Sequence, residues 1–177
     1  AWRAGLAELE RRGLVFDAWL YHTQLIDLID LAREFPRLPI VLNHLGGPIG
    51  IGPYEGRRAE VFGDWSYLLR RLAAFENVSV KLGGFGMLMA GFDFHERPLP
   101  PSSEELAEAW GPYMRTAIEM FGSERAMFES NFPVDKGTAS YPVVWNAFKR
   151  IAAPFPADAR DAVFHGTAAR IYSLTLT

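Results

Sequence analysis

The chain has 177 residues, of which 49% are hydrophobic, and its formal net charge at pH 7 is −3. This length predicts a single domain, and the apolar content is sufficient for a packed core. The slightly acidic balance and the scattered basic residues exclude the electrostatic footprint of a nucleic-acid-binding protein. The sequence contains no cysteine, which excludes disulfides, a thiolate nucleophile and a thiolate metal site.

No apolar run approaches the ~18 residues that a membrane span needs, and the first residues follow a helical pattern instead of a signal peptide. We therefore expect a cytoplasmic protein with neither a membrane nor a nucleic acid as partner. A small-molecule substrate is the expected partner, and a homo-oligomer is left open.

Helical and strand-like patterns alternate along the chain. Helical spacing of apolar residues covers 1–12, 24–35, 64–75, 103–121, 142–152 and 158–172. Short, almost entirely apolar runs lie between them at 14–20, 40–46, 78–84 and 126–133. Runs of this kind are typical of parallel strands that helices cover on both faces. The pattern predicts an α/β fold with about four parallel strands and covering helices.

Capping and turn residues refine this prediction. Asp64 is predicted to cap the helix at 64–75. Ser102 or Ser103 is the candidate cap for 103–121, with Glu105 or Glu104 near the third position. The glycine-rich stretch 47–56 lacks the third glycine and the following helix of a phosphate-binding loop. We interpret it as a mobile loop beside a site.

Polar side chains occupy the second half of each apolar run. The register of the run at 40–46 is open, and one assignment of the strand faces places five of them on one common side: Asp17, His44, Lys81, Glu129 and Asn131. The C-terminal strand ends of parallel α/β folds are where active sites are built. Because unpaired polar groups are expensive to bury, these side chains must either pair with one another or line a wet site. In the pairing alternative, Lys81 neutralises Asp17 or Glu129, and His44 is a structural core histidine.

Five motifs resemble the amidohydrolase-related family (amidohydrolase type 2), which includes lactone hydrolases and decarboxylases. They are DAWLYHTQL, IVLNHLGGP, VSVKLGG, MFESNFPVDKGTASY and FHGTAARIYSL. The resemblance runs from about Leu6 to Leu174. It implies that residues 1–177 form a single incomplete domain, the C-terminal half of a (β/α)8 TIM-type barrel. The missing strands, and the His-x-His pair that family members carry on their first strand, are then expected upstream of Ala1.

The resemblance also implies roles for two residues. His44 matches the family histidine that polarises the substrate carbonyl or helps to hold a divalent metal, with zinc or manganese as the expected ion. Asn131 stands where many relatives have an aspartate that takes a proton from the attacking water. An amide cannot accept that proton. Three outcomes stay open: another carboxylate (Asp17, Glu129 or Asp135) takes over, the reaction differs, or activity is weak.

The sequence therefore predicts a hydrolase that opens a lactone or related small ester with activated water. The predicted catalytic residues are His44, Asn131 and Asp17, and the predicted substrate-binding residues are His22, Lys81 and Glu129. A metal-dependent decarboxylase of the same family is the alternative enzyme, and a non-catalytic α/β fragment is the alternative of another class. A half barrel exposes two strand edges, so the 177 residues alone are expected to be inactive and to associate.

Overall fold

The structure, a computed structural model, describes residues 2–175 and contains one parallel sheet. Its strands are β1 (Phe16–Ala18), β2 (Ile40–Leu42), β3 (Val78–Leu82) and β4 (Ala126–Phe128). They lie in chain order, β1-β2-β3-β4, and every neighbouring pair is parallel. This confirms the predicted α/β fold with four parallel strands.

Helices separate the strands and cover the sheet. They are α1 (Trp2–Arg12), α2 (Leu25–Glu34), α3 (Arg58–Ala73), α4 (Ser103–Phe121), α5 (Tyr141–Ala152), α6 (Ala157–Asp161) and α7 (Thr167–Ile171). A π-helical segment, Ala162–Gly166, joins the last two. None of the helices within residues 2–175 is both long and apolar enough to cross a membrane.

The predicted start of one helix is wrong. The helix expected at 64–75 begins at Arg58, and Asp64 lies inside it instead of capping it. Its first turn is polar and Gly63 interrupts the apolar pattern, so the spacing conceals this start. The prediction for the long helix is correct, because the Ser102 hydroxyl accepts from the Glu105 N–H at 3.2 Å while the Glu105 carboxylate accepts from the Ser102 N–H.

The strands are shorter than the apolar runs because the backbone turns sharply after them. The segment Asn43–Gly46 follows β2, and within it His44 and Leu45 have φ values of 53° and 57°. Asn131, after β4, has a φ of 51°. Left-handed residues of this kind end the alternation of a strand. The polar residues predicted inside strands 40–46 and 126–133 therefore lie in turns at the C-terminal ends.

The core between sheet and helices fixes the first of these turns. Strand residues such as Leu42 and Val80 are fully buried, as is Trp65 of α3. The indole Nε1 of Trp65 donates a hydrogen bond to the carbonyl oxygen of Leu45 at 2.6 Å. The residue next to His44 is thus anchored to a buried side chain of α3, which gives the turn a rigid support.

Candidate active site

A histidine and a glutamate meet at the C-terminal end of the sheet. His44 follows β2 and Glu129 follows β4. Nδ1 of His44 lies 2.5 Å from Oε1 of Glu129, and the same oxygen accepts from the His44 backbone N–H at 3.3 Å. Their side chains are 14% and 19% exposed, so both are accessible yet largely shielded. Because the carboxylate binds Nδ1, the ring nitrogen left for a ligand is Nε2.

Glycines at the end of β3 make room for this pair. Gly83 packs directly against Glu129, and a Cβ on Gly84 would lie 2.6 Å from Cγ of His44. Gly84 also has a φ of 77°, a conformation that favours glycine. A side chain at either position would displace the pair, so β3 shapes the site by leaving space.

Asn131 and Asp135 form a second pair beside the first. Nδ2 of Asn131 donates to Oδ1 of Asp135 at 2.7 Å, and the backbone N–H of Gly86 donates to Oδ2 at 3.1 Å. The Asp135 residue is only 1% exposed. The hydroxyl of Thr138 donates to the Gly86 carbonyl at 2.8 Å and holds that backbone in place. Both carboxylate oxygens of Asp135 therefore have a donor.

The pKa of Asp135 depends on residues of both pairs. Burial raises the pKa of Asp135 to about 6 from its ordinary 3.8. The hydrogen bonds from Asn131 and Gly86 and the charge of His44 act against the rise, and the charge of Glu129 adds to it. The other three residues thus all act on the Asp135 carboxyl at this end of the sheet. We call the group of His44, Glu129, Asn131 and Asp135 the His44 cluster.

Asp17 and Lys81 lie in a separate group. Nζ of Lys81 donates to Oδ1 of Asp17 at 2.6 Å, and the hydroxyl of Tyr172 donates to the same oxygen at 2.7 Å. Burial, reinforced by the hydrogen bond to Asp17, raises the pKa of Tyr172 to about 12. Within residues 2–175 no hydrogen bond or ion pair joins this group to the His44 cluster. The geometry matches the pairing alternative for Lys81 and Asp17, and their catalytic and substrate-binding roles stay predictions.

The predicted substrate-binding residue His22 is 3% exposed and contacts the loop 47–56. Nδ1 of His22 accepts from the Ile49 N–H at 3.3 Å, and its ring lies edge-on to that of Tyr54 at 5.0 Å between centroids. Burial lowers the pKa of His22, which favours the neutral ring. Among the described residues no hydrogen bond joins His22 to the His44 cluster, and its role in substrate binding stays a prediction.

The loops that follow β2 and β3 meet at two glycines. The backbone N–H of Gly50 donates to the Met89 carbonyl at 2.8 Å, and Gly50 packs directly on the backbone of Gly91. The guanidinium of Arg58 donates to the Gly91 carbonyl and lies 4.0 Å from the Phe92 ring centroid. The predicted mobile loop is thus packed against its neighbour.

Sequence reasoning did not identify the positioning glycines or the bonds of Asp135. Gly83, Gly84 and Gly86 were visible only as part of a glycine-rich strand end, and Asp135 only as one of three alternative carboxylates. The signal that points to them is the close spacing of three glycines directly after a buried strand, which indicates that another side chain approaches the backbone there.

The donor set around His44 fits a divalent metal in part. A histidine whose Nδ1 is held by a carboxylate, with Nε2 free, is the usual arrangement of a metal-bound imidazole. Across residues 2–175, however, no group of three or more histidine, cysteine, aspartate or glutamate side chains could hold a metal. His44 therefore fits as one ligand among others that would have to come from outside this range.

A parallel α/β unit with ionisable side chains gathered after its strand ends is the architecture of a barrel enzyme. Comparison with known proteins agrees: the family model Amidohydro_2, described as amidohydrolase, matches residues 1–174. The chain belongs to this amidohydrolase family. The family is one of enzymes. The four strands described here correspond to half of the family barrel.

Three similar proteins illustrate the match. An uncharacterized protein of Sinorhizobium fredii, y4mH, is 40% identical over 172 residues, covering 97% of this chain and 51% of its own. An L-fucono-1,5-lactonase of Burkholderia multivorans is 32% identical over 171 residues, covering 96% and 55%. A crystal structure of a Burkholderia multivorans amidohydrolase with bound zinc superposes with a TM-score of 0.83 at 29% identity, covering 97% and 57%. The chain thus spans about half the length of the relatives it matches.

Proposed function

We propose that the full-length protein hydrolyses a lactone or a related small ester, with the His44 cluster at the reacting carbonyl. The observation that carries this proposal is the contact between His44 Nδ1 and Glu129 Oε1 at the strand ends. A similar protein is named an L-fucono-1,5-lactonase, which supports a cyclic ester as the substrate class.

His44 is proposed to polarise the carbonyl through Nε2. The Glu129 carboxylate accepts from Nδ1 and holds the ring in place, and a ring that carries a proton on each nitrogen donates its Nε2–H to the carbonyl oxygen. Negative charge that develops on this oxygen during attack is thereby neutralised. A divalent metal held by Nε2 would instead supply this polarisation as a Lewis acid and would lower the pKa of bound water.

Glu129 is proposed to accept the proton of the attacking water. Of the three candidate carboxylates, Asp17 is held by Lys81 and Tyr172, and both oxygens of the buried Asp135 have donors. Glu129 bonds His44 through Oε1, which leaves Oε2 to accept from water. The water oxygen bonds to the carbonyl carbon, its proton passes to Oε2, and the ester C–O bond breaks. The proton then moves to the leaving oxygen, so the products are a carboxylic acid and a hydroxyl.

The test is His44→Ala in the full-length protein, measured on a panel of small lactones. We expect turnover to fall on every lactone that the parent opens. His165→Ala is the matched control, because this histidine is exposed in the π-helical segment and should leave turnover unchanged. Unchanged turnover in the His44 variant would refute the role of His44, and a parent without activity on any lactone or ester would refute the proposed reaction.

A further inference from the structure

The buried carboxylate of Asp135 determines which way the Asn131 amide points. An ionised carboxylate only accepts hydrogen bonds, and Oδ1 of Asp135 lies 2.7 Å from the terminal amide of Asn131. Asn131 must therefore present its NH2 group to Asp135. Its carbonyl oxygen, Oδ1, is then on the opposite edge of the amide.

We infer that Asp135 is a positioning residue, which turns Oδ1 of Asn131 toward the reacting centre so that it accepts a hydrogen bond from the attacking water. This inference rests on the proposed hydrolysis. In this scheme two residues share the role that one aspartate would have: Asn131 orients the attacking water, and Glu129 accepts its proton. Asn131 is suited to this position because its φ of 51° is one that asparagine tolerates better than most residues.

The anchor of Asp135 is rigid enough for such a role. Its second oxygen accepts from the Gly86 N–H, 49 positions away in the sequence. A Cβ at Gly86 would lie 2.7 Å from Cγ of Asp135, so only glycine allows this approach. Thr138 then holds the Gly86 carbonyl. The carboxylate is thus fixed from two sides before it meets Asn131.

Asp135→Asn provides a variant that is expected to fold and yet to lose activity. The new side chain keeps an oxygen for the Gly86 N–H and presents an NH2 group to Asn131. Asn131 then flips and satisfies every hydrogen bond, but its own NH2 now faces the water. We expect kcat to fall about 10–100-fold with little change in KM and no decrease in the thermal unfolding midpoint. Asp158→Asn, at an exposed position on α6, is the matched control.

The double variant Asn131→Asp/Asp135→Asn restores the pattern with its polarity reversed. The aspartate at 131 accepts from the asparagine at 135, whose oxygen accepts from the Gly86 N–H, so an acceptor again faces the water. We expect kcat to recover toward the parent value. Asn131→Asp alone sets two carboxylates against each other and should be less active than the double variant.

Two results would overturn the inference: a kcat for Asp135→Asn equal to that of the parent, or a double variant no more active than Asp135→Asn. A readout that does not depend on activity is the side-chain amide resonance of Asn131. We expect its protons to exchange slowly in the parent and quickly in Asp135→Ala, whatever the substrate. Fast exchange in the parent would refute the inference, whereas slow exchange in a protein that opens no lactone would refute the proposed function alone.

Discussion

Nδ1 of His44 and Oε1 of Glu129 lie 2.5 Å apart although the residues are separated by 85 positions in the sequence. The contact exists because β3 lies between their two strands and ends in glycines that leave space above it. Side chains that follow β2 and β4 can therefore act on the same substrate group, although these strands are not neighbours in the sheet. This is the relationship on which the proposed chemistry depends.

The first prediction concerns Glu129→Gln in the full-length protein. Glutamine keeps the size of the side chain and can still accept from Nδ1 of His44, but it cannot take a proton from water. We expect kcat on the best lactone to fall about 10–100-fold, with a smaller change in KM. Proton release on ring opening, followed with a pH indicator, measures it. Glu119→Gln, on the exposed side of α4, is the control, and an equal loss there would contradict the prediction.

The second prediction tests the space above β3. Gly84→Ala places a methyl group 2.6 Å from Cγ of His44 on a residue whose φ is 77°, so both the ring and the backbone must move. We expect lower turnover together with a lower unfolding midpoint. Gly63→Ala lies within α3 with no atom near its new Cβ, and should raise helix stability by up to about 1 kcal/mol. If the two variants behave alike, Gly84 does not position His44.

The third prediction is a pH dependence of stability that comes from Asp135. Its pKa is about 6 in the folded protein against 3.8 ordinarily, so the folded state holds the proton more tightly than the unfolded state. The free energy of unfolding therefore falls as pH rises from 3.8 toward about 6, by about 3 kcal/mol in total from this group. Urea unfolding at several pH values measures the slope.

Asp135→Asn should remove this contribution, because the asparagine does not titrate. His44 and Glu129 are the charged groups near Asp135, and both are present in the parent and in the variant. The comparison therefore isolates the buried carboxylate. A parent and a variant with the same slope over this range would show that the pKa of Asp135 is not raised.

The fourth prediction concerns the 177 residues expressed alone. β1 and β4 are the edges of the described sheet, and a groove of about 480 Å³ at β1 is lined in part by Trp2, Phe16 and Trp19. Unpaired edges beside exposed aromatic rings favour association. We expect concentration-dependent oligomers in light scattering and no lactone turnover. A monomer with turnover would contradict this prediction.

The sheet could be predicted because buried parallel strands have a recognisable sequence pattern, namely short apolar runs between helices. The runs at 40–46 and 78–84 located β2 and β3 without further information. Their polar ends also indicated where a site would form. The physical basis is local in both cases, since each signal depends on a few consecutive residues.

The arrangement inside the site could not be predicted in the same way. Whether His44 follows the strand alternation depends on a left-handed turn that Trp65 anchors from another element. The bond from Gly86 to Asp135 spans 49 positions, and the one from Tyr172 to Asp17 spans 155. Such pairings are decided by three-dimensional packing, which a single sequence does not encode in any local pattern.

The contact between Gly50 and Gly91 has a consequence for the motion of the two loops that it joins. Because the two backbones touch with no side chain between them, neither loop can lift by itself without opening a void or dragging the other along. The loops that follow β2 and β3 would then move as one unit. A methyl group added at either glycine would meet the backbone of the opposite loop and would push the two loops apart.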